Sequence, residues 1–230
     1  MNWRMVYFGL AGTMLYSAGL HAATMIEHVE SEGETMKIWF QGAKMRMDSE
    51  GGYMLMDWEA NKMYLVSPEE GMAMDMSHVM AAQPKGGENS GPRAVVSKVG
   101  DGPDIAGYDT VHYRISVGGE HCQDIYTSKK AYKDLDAEDL FDRMQKLADA
   151  DMEEMDEWST PCDYADQGLD FAELGFPMRT EYVESGEWDE VRKIVPDAGE
   201  PEGGFDVPAG LEVMDMSQMM QFMQRPPGNE

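Results

Sequence analysis

The sequence predicts a mainly β fold of short antiparallel strands with one long amphipathic helix and a short C-terminal helix. Between residues 24 and 80, short alternating apolar runs are separated at even spacing by turn clusters of Gly, Asn, Pro and Ser. This pattern is typical of an antiparallel meander. Between Asp136 and Glu157 the apolar residues recur instead at helical spacing. We therefore expect one sheet crossed by one long helix.

The first 23 residues have the layout of a cleaved secretory signal. Arg4 supplies a positive charge, Met5–Leu20 is apolar and uncharged, and Ala22 and Ala23 offer a small-residue cleavage site. A signal anchor is the alternative, but the apolar run is shorter than the roughly 20 residues of a spanning helix. We expect cleavage after Ala22 or Ala23. The mature chain should be soluble in the periplasm or outside the cell, without stable membrane insertion.

Alternation and turn residues predict ten strands in the mature chain. They cover Met36–Gln41, Lys44–Asp48, Tyr53–Trp58, Lys62–Ser67, Met72–Met76, Ala94–Val99, Tyr108–Val117, Glu120–Thr127, Phe176–Val183 and Trp188–Val195. Gly118-Gly119 predicts a hairpin turn between two of these strands. Residues 83–92 are rich in Gly, Pro and polar residues and predict a loop.

Two helices are predicted after the strands of the first half. The helix from Asp136 to Glu157 carries Leu140 and Phe141 on its apolar face, with Asp134 or Asp136 as its cap. A Met-rich helix is predicted from Met214 to Gln224. The chain divides into residues 1–23 (signal peptide), 24–213 (β domain) and 214–230 (Met-rich helix and frayed tail).

The chain is strongly acidic, with 44 Asp and Glu against 18 Lys and Arg. A polyanion is repelled by nucleic acid and by anionic membrane surfaces, so neither is an expected partner. Solubility explains such a charge, and a cation-binding surface is the alternative. The acidic run of the long helix lacks the Gly that a calcium-binding EF-hand loop needs at its sixth position.

Both cysteines, Cys122 and Cys162, lie in the mature chain. In an oxidising compartment such a pair most often forms a disulfide. We predict that this bond ties the segment after the long helix to the sheet. No CxxC motif is present, so a catalytic thiol is not expected.

A series of short motifs in a fixed order resembles a known family. The motifs are GAKMRMD at 42–48, YMLMD at 53–57, KMYLV at 62–66, IAGY at 105–108, VHYR at 111–114, HCQDIY at 121–126, GFPMR at 175–179 and FDVPAG at 205–210. They resemble an uncharacterised exported family, a domain of unknown function, related to the lipoprotein carriers LolA and LolB. The resemblance implies an unclosed half-barrel whose concave face is covered by helices and can hold acyl chains.

Enzyme signatures are absent from the sequence. It contains no GxSxG, HExxH, Walker A or GxGxxG motif. The mature histidines, His28, His78, His112 and His121, are too scattered to form a close-spaced ligand motif. We therefore expect no catalytic residues and a non-enzymatic role.

The Met residues are the best candidates for a specific function. Met45, Met47, Met54 and Met56 alternate in consecutive predicted strands and are expected to line an apolar ligand cavity. Met is flexible and polarisable, so such a surface adapts to lipids or other apolar molecules. On this hypothesis the protein needs no cofactor.

Copper is the alternative interpretation of the Met pattern. Met72, Met74, Met76, His78 and Met80 alternate strictly, so they would share one face if the segment stays extended. Thioether and imidazole form a soft ligand set that selects Cu(I). Alternate residues of a strand lie about 7 Å apart, however, so several of them could share one ion only if the strand bends.

The sequence thus predicts a periplasmic or secreted binding or chaperone-like protein. Its expected partner is an apolar small molecule, a lipid or an envelope protein. A Cu(I)-binding protein and a structural or protein-interaction module are the alternatives.

Overall fold

Strands form one large sheet. The computed structural model describes residues 23–81, 92–138, 140, 141, 143, 160–166 and 168–216. Twelve strands lie within these residues. They are β1 (Thr24–Glu30), β2 (Thr35–Gln41), β3 (Lys44–Ser49), β4 (Gly52–Asp57), β5 (Lys62–Ser67), β6 (Met72–Asp75), β7 (Ala94–Asp101), β8 (Val111–Val117), β9 (Glu120–Ser128), β10 (Phe176–Tyr182), β11 (Trp188–Val195) and β12 (Glu212–Asp215).

The sheet is open, with β12 and β7 at its edges. Its strand order is β12-β6-β5-β4-β3-β2-β1-β11-β10-β9-β8-β7. Neighbouring strands pair antiparallel except β12, which pairs parallel with β6. The predicted mainly β fold with an unclosed antiparallel sheet is therefore confirmed. β1 pairs with both β2 and β11 and so joins the two halves of the sheet.

Turn chemistry explains where consecutive strands reverse. Gly118 and Gly119 connect β8 and β9 with φ of 62° and 91°. A two-residue hairpin turn with positive φ at both central positions favours glycine, because it carries no Cβ. Ala106 and Gly107 also have positive φ and form a tight turn closed by an Ile105–Tyr108 bridge. This turn explains why β8 begins at Val111 and not at Tyr108, as the sequence predicted.

The described helices are short. They are α1 (Ser77–Ala81), α2 (Lys129–Asp134), a 3₁₀ helix (Pro161–Tyr164) and α3 (Phe171–Leu174). Of the predicted Asp136–Glu157 helix, residues 138, 140, 141 and 143 are helical, and 144–157 lie outside the described residues. Ser128 caps α2 by accepting from Ala131 N. None of the described helices is both long and apolar enough to cross a membrane.

The core packs against both faces of the sheet. On one face, a buried cluster contains Ile26, Phe176, Met178 and Val191 of the sheet and Ala131 of α2, with Phe141 packed against it. On the other face, a cluster around Tyr53, Leu55, Val66 and Ala73 is covered by Val207 and Leu211. Arg46 fastens the segment before Val207 to the sheet, because its Nη1 donates to the carbonyls of Glu202 (2.8 Å) and Gly204 (2.9 Å).

Of the predicted C-terminal helix, only the first three residues, 214–216, lie within the described residues. The helix predicted from Met214 is wrong at its start, since Met214 lies in β12 beside Met74 of β6. Pairing with a free sheet edge satisfies backbone groups there and overrides a weak helical pattern. Residues 217–230, the predicted signal residues 1–22, and residues 83–91 of the predicted loop lie outside the described residues.

Candidate functional site

The four Met residues proposed to line a ligand cavity lie together on one face of the sheet. Met45 stands directly opposite Met56, and Met47 directly opposite Met54, across the β3–β4 pair. Met45 and Met56 are buried, and Met47 and Met54 are half-buried. The sequence pattern thus indicated their shared face correctly, and their ligand-binding role stays a prediction.

The cross-strand pairs of Met47 and Met54 continue into neighbouring strands and form an apolar row over seven strands. We call it the Met row: Ile26, Ile38, Met47, Met54, Leu65, Met74 and Met214. Ile26 is only 1% exposed, whereas Leu65 is 40% exposed. Met74 and Met214 are half-buried. The row therefore begins in the core, is most exposed at Leu65 and stays half-buried up to the β12 edge.

A second row of Met residues lies beside the Met row and is more deeply packed. Met45, Met56 and Met63 are buried, and Met76, Met80, Trp58 and Leu140 pack against them. This part of the Met surface is therefore a packed core.

The predicted strand Met72–Met76 is present as β6, but the chain does not stay extended to Met80, so Met72, Met74, Met76, His78 and Met80 do not share one strand face. β6 ends at Asp75, whose Oδ1 accepts from Ser77 N at 2.8 Å, and α1 begins at Ser77. This local hydrogen bond starts the helix in place of further strand. Met72 and Met74 stay on β6, Met76 and Met80 join the buried cluster, and His78 on α1 is exposed.

The predicted disulfide between Cys122 and Cys162 is confirmed. The two sulfur atoms are 2.11 Å apart. Cys122 lies in β9 and Cys162 in the 3₁₀ helix, so the bond attaches the 3₁₀ segment to the sheet. Both cysteines line a cavity with Gln123 and Asp166.

That cavity is one half of an acidic groove across β9, β10, β11 and β1. Two cavities of about 280 and 460 Å³ adjoin at the residues they share, Tyr182 and Glu187. Their walls also carry Gln123, Asp163, Asp166, Glu184, His28, Glu30, Glu32, Trp188 and Asp189. None of the described lining residues is Lys or Arg. A hollow that shares Glu30 and Glu32 with this groove is lined by Lys37.

Asp189 is the central carboxylate of this groove. It is the cross-strand partner of Glu30, and its Oδ2 accepts from Tyr182 Oη at 3.3 Å. Partial burial raises the pKa of Asp189, and the charges of Glu30 and Asp166 raise it further, against the hydrogen bond from Tyr182. The surroundings of Asp189 therefore disfavour its negatively charged form.

His28 does not neutralise Asp189. Its Nδ1 is 4.0 Å from Asp189 Oδ1, and its side chain is 14% exposed. Burial lowers the pKa of His28 to about 4, so the imidazole is neutral at pH 7. Its Nε2 has no hydrogen-bond partner among the described residues.

Gln123 supplies a second unsatisfied atom at the groove. It lies opposite Tyr182 across the β9–β10 pair and is 1% exposed. Its Nε2 donates to Asp166 Oδ1 at 2.8 Å, whereas its buried Oε1 accepts no hydrogen bond from the described residues. A buried acceptor without a donor costs about 1–3 kcal/mol.

A separate polar cluster surrounds Asp124 on β9. His112 Nε2 and His121 Nε2 lie 3.0 and 3.1 Å from its carboxylate oxygens, and Arg114 Nε lies 3.3 Å away. Partial burial alone would raise the pKa of Asp124, but contacts with His112, His121 and Arg114 lower it overall. Asp124 is thus a compensated carboxylate, in contrast to Asp189.

The sequence analysis missed both polar clusters. The groove residues come from β1, β9, the 3₁₀ segment and the β10–β11 hairpin, which are separated along the chain, and no local spacing marks them. The described His, Cys, Asp and Glu residues include no group of three placed to hold a metal ion. The one sequence signal was the acidic charge excess, for which a cation-binding surface was an alternative explanation.

Solved structures give only weak likenesses. The crystal structure of MucB matches 85% of this chain and 60% of its own length, with 10% identity and a TM-score of 0.38. The Pseudomonas aeruginosa MucA/MucB complex structure matches 85% of this chain and 59% of its own length, with 11% identity and a TM-score of 0.39. The chain thus spans about 60% of those proteins, and scores this low support no argument about its fold or function.

One family model matches most of this chain. No curated protein matches this chain significantly. The family described as Domain of unknown function (DUF4412) matches residues 20–211, which include β1 to β11 and the acidic groove. The chain therefore belongs to the DUF4412 family.

Proposed function

We propose that this chain is a non-enzymatic envelope protein that binds an apolar ligand along the outer part of the Met row. It acts after export, in the periplasm or outside the cell, and requires no cofactor. The ligand is a lipid or another apolar small molecule, or the apolar segment of an envelope protein. This role agrees with the resemblance to the carriers LolA and LolB.

The observation that carries the proposal is the exposure gradient along the Met row. Neighbouring positions Met54, Leu65, Met74 and Met214 form a continuous apolar strip that is half-buried to exposed. An apolar strip in water is stabilised when a ligand covers it, by about 25 cal/mol per Å² of apolar surface. Unbranched Met side chains can adjust to ligands of different shape.

A fluorescent fatty acid titrated into the mature protein tests this proposal. Leu65→Glu places a charge in the strip at a 40% exposed position and should weaken probe binding at least tenfold, since an unpaired charge under an apolar ligand is costly. Val95→Glu is the matched control, because Val95 is 60% exposed on β7 at the opposite edge of the sheet. Equal affinity of both variants and the parent would contradict the proposal.

Native mass spectrometry of the protein isolated from its own cells distinguishes the ligand classes. A mass increase of lipid size supports a small apolar ligand, whereas a stable protein adduct supports an envelope partner. Thermal unfolding of Leu65→Glu must match that of Val95→Glu within a few degrees, so that lost binding reflects the strip and not lost folding.

Cu(I) binding is a second candidate, favoured by the sulfur-rich cluster. Met45, Met56 and Met63 pack with Met47, Met54, Met76 and Met80, which places seven thioethers in one region. Replacing Met47, Met54, Met76 and Met80 together by Leu roughly conserves volume but removes four of these seven thioethers. Stoichiometric Cu(I) binding against a competing chelator in the parent, lost in this variant, would favour copper. Absence of tight binding in the parent would favour the apolar ligand.

A further inference from the structure

Uncompensated negative charge distinguishes the acidic groove from the rest of the described surface. Elsewhere, half-buried carboxylates have cationic neighbours: Asp124 contacts Arg114, and Glu190 accepts from Arg179 Nη1 at 2.8 Å. In the groove, Asp189 faces Glu30 directly across two strands, and like charges so placed repel each other. The sheet register therefore holds two carboxylates together without a cation.

Unsatisfied neutral groups lie in the same walls. Gln123 is buried at 1% exposure, its amide is anchored to Asp166, and its Oε1 has no donor among the described residues. Native proteins satisfy the great majority of such buried acceptors, so an orphaned one in a cavity wall indicates a missing donor. A ligand group that donates to Gln123 Oε1 must also be compatible with the negative charge of Asp166, which lies beside it.

The spacing of these acceptors favours an organic cation over a metal ion. No three described His, Cys, Asp or Glu side chains converge closely enough to hold one metal ion. The acceptors are instead spread along the groove. Gln123 and Asp166 line one cavity, Asp189 and Glu30 line the other, and Tyr182 lines both. A guanidinium group carries five N–H donors in a rigid plane, whereas an ammonium group is a compact point charge.

We propose that the acidic groove binds the guanidinium group of an arginine side chain presented by a basic peptide segment of a partner protein. The guanidinium donates to the Asp189 and Glu30 carboxylates, and peptide N–H groups of the same segment donate toward Asp166 and Gln123 Oε1. Two cavities with volumes of about 280 and 460 Å³ leave room for the side chain and its flanking backbone. The net charge of −26 attracts such a segment from a distance. This inference does not depend on the apolar ligand proposed for the Met row.

Binding of arginine should depend on the protonation of Asp189. The titratable groups facing this carboxylate are Glu30 and His28 on β1, Tyr182 on β10 and Asp166 after the 3₁₀ helix. Because burial and the charges of Glu30 and Asp166 raise the pKa of Asp189, this carboxylate takes up a proton more readily than an ordinary aspartate. Affinity should therefore fall as the pH is lowered through this raised pKa, and should be constant above it.

Two acetylated tripeptide amides test the proposal: Gly-Arg-Gly and its neutral counterpart with citrulline in place of arginine. Each is titrated into the full mature protein while the Trp188 indole and Gln123 amide NMR signals are followed. We expect saturable shifts with the arginine peptide at millimolar concentration, typical of one charged contact, and none with the citrulline peptide. Equal shifts with both peptides, or no saturation by about 50 mM, would overturn the proposal.

Variants locate the binding to the groove. Asp189→Asn should weaken arginine binding at least fivefold, and Glu30→Gln should weaken it about threefold. Glu212→Gln is the matched control, since it removes the same charge at the exposed β12 edge and should leave affinity unchanged. Glu30 is exposed, so its variant remains informative if Asp189→Asn fails to fold. An equal loss of affinity in Glu212→Gln would show general charge attraction and overturn the assigned site. Displacement of the peptide by equimolar calcium would overturn it as well, because the groove would then prefer a metal ion.

Discussion

Glu30 of β1 and Asp189 of β11 stand directly opposite each other in the central part of the sheet. Adjacent Asp166 adds a third carboxylate, while the nearest imidazole, His28, is kept neutral by burial. The protein thus tolerates electrostatic repulsion where the same strands could have carried an ion pair. Local destabilisation of this kind is common at functional sites.

Asp189→Asn should stabilise the protein at neutral pH. The folded pKa of Asp189 is raised, so its ionisation opposes folding above that pKa and has no effect below the unfolded pKa. Since the side chain is one-third exposed, solvent screening limits the expected gain to about 0.5 kcal/mol. Urea unfolding at pH 7 should show this gain, and at about pH 3 the variant and parent should be equal. A loss of stability at pH 7 would show that the hydrogen bond from Tyr182 outweighs the repulsion.

Asp124→Asn should have the opposite effect. The folded pKa of Asp124 is lowered, so its stabilisation is present above the unfolded pKa and is lost as the pH falls through the folded pKa. Removing this charge beside His112, His121 and Arg114 should cost about 1.5–3 kcal/mol at pH 6, the value of hydrogen bonds to charged groups. The same urea experiment at about pH 2 should show a much smaller difference. A difference that does not change with pH would indicate a packing effect.

Loss of the disulfide should lower stability without changing the strand pairing. Cys122 and Cys162 are separated by 40 residues, and closing a loop of that length stabilises by roughly 3–4 kcal/mol on the chain-entropy model. A Cys122→Ala, Cys162→Ala double variant should show this loss in chemical unfolding, with a circular dichroism spectrum like that of the parent. Thiol labelling of the denatured, unreduced parent should detect no free thiol. Two labelled cysteines per chain would contradict disulfide formation in the native protein.

Signal cleavage should leave Ala23 as the first residue of the mature protein. Both Ala22 and Ala23 suit cleavage by sequence, but the Ala23 side chain is fully buried and its carbonyl accepts from Ala198 N at 2.8 Å. Cleavage after Ala22 retains these contacts, whereas cleavage after Ala23 removes them. N-terminal sequencing of the exported protein distinguishes the two outcomes. An uncleaved N-terminus would instead support a signal anchor.

Most of the sheet was predictable because strands and hairpin turns have local signals. Alternation identified β2 to β11, and Gly118-Gly119 marked the β8–β9 turn through its positive φ angles. The shared face of Met45, Met47, Met54 and Met56 followed from side-chain alternation and from antiparallel pairing of neighbouring strands. β1 was not among the predicted strands, although it lies in the region expected to form the meander.

The sequence by itself determined the mainly β class, the positions of most strands, the cysteine pairing and the shared face of the Met residues. Only the tertiary structure decided that β1 joins the two halves of the sheet, that Met214 pairs with β6, and that Glu30 meets Asp189. The physical reason is the range of the interactions. Turns and alternation act between near neighbours in the chain, whereas strand register between distant segments depends on which surfaces the whole fold can bury.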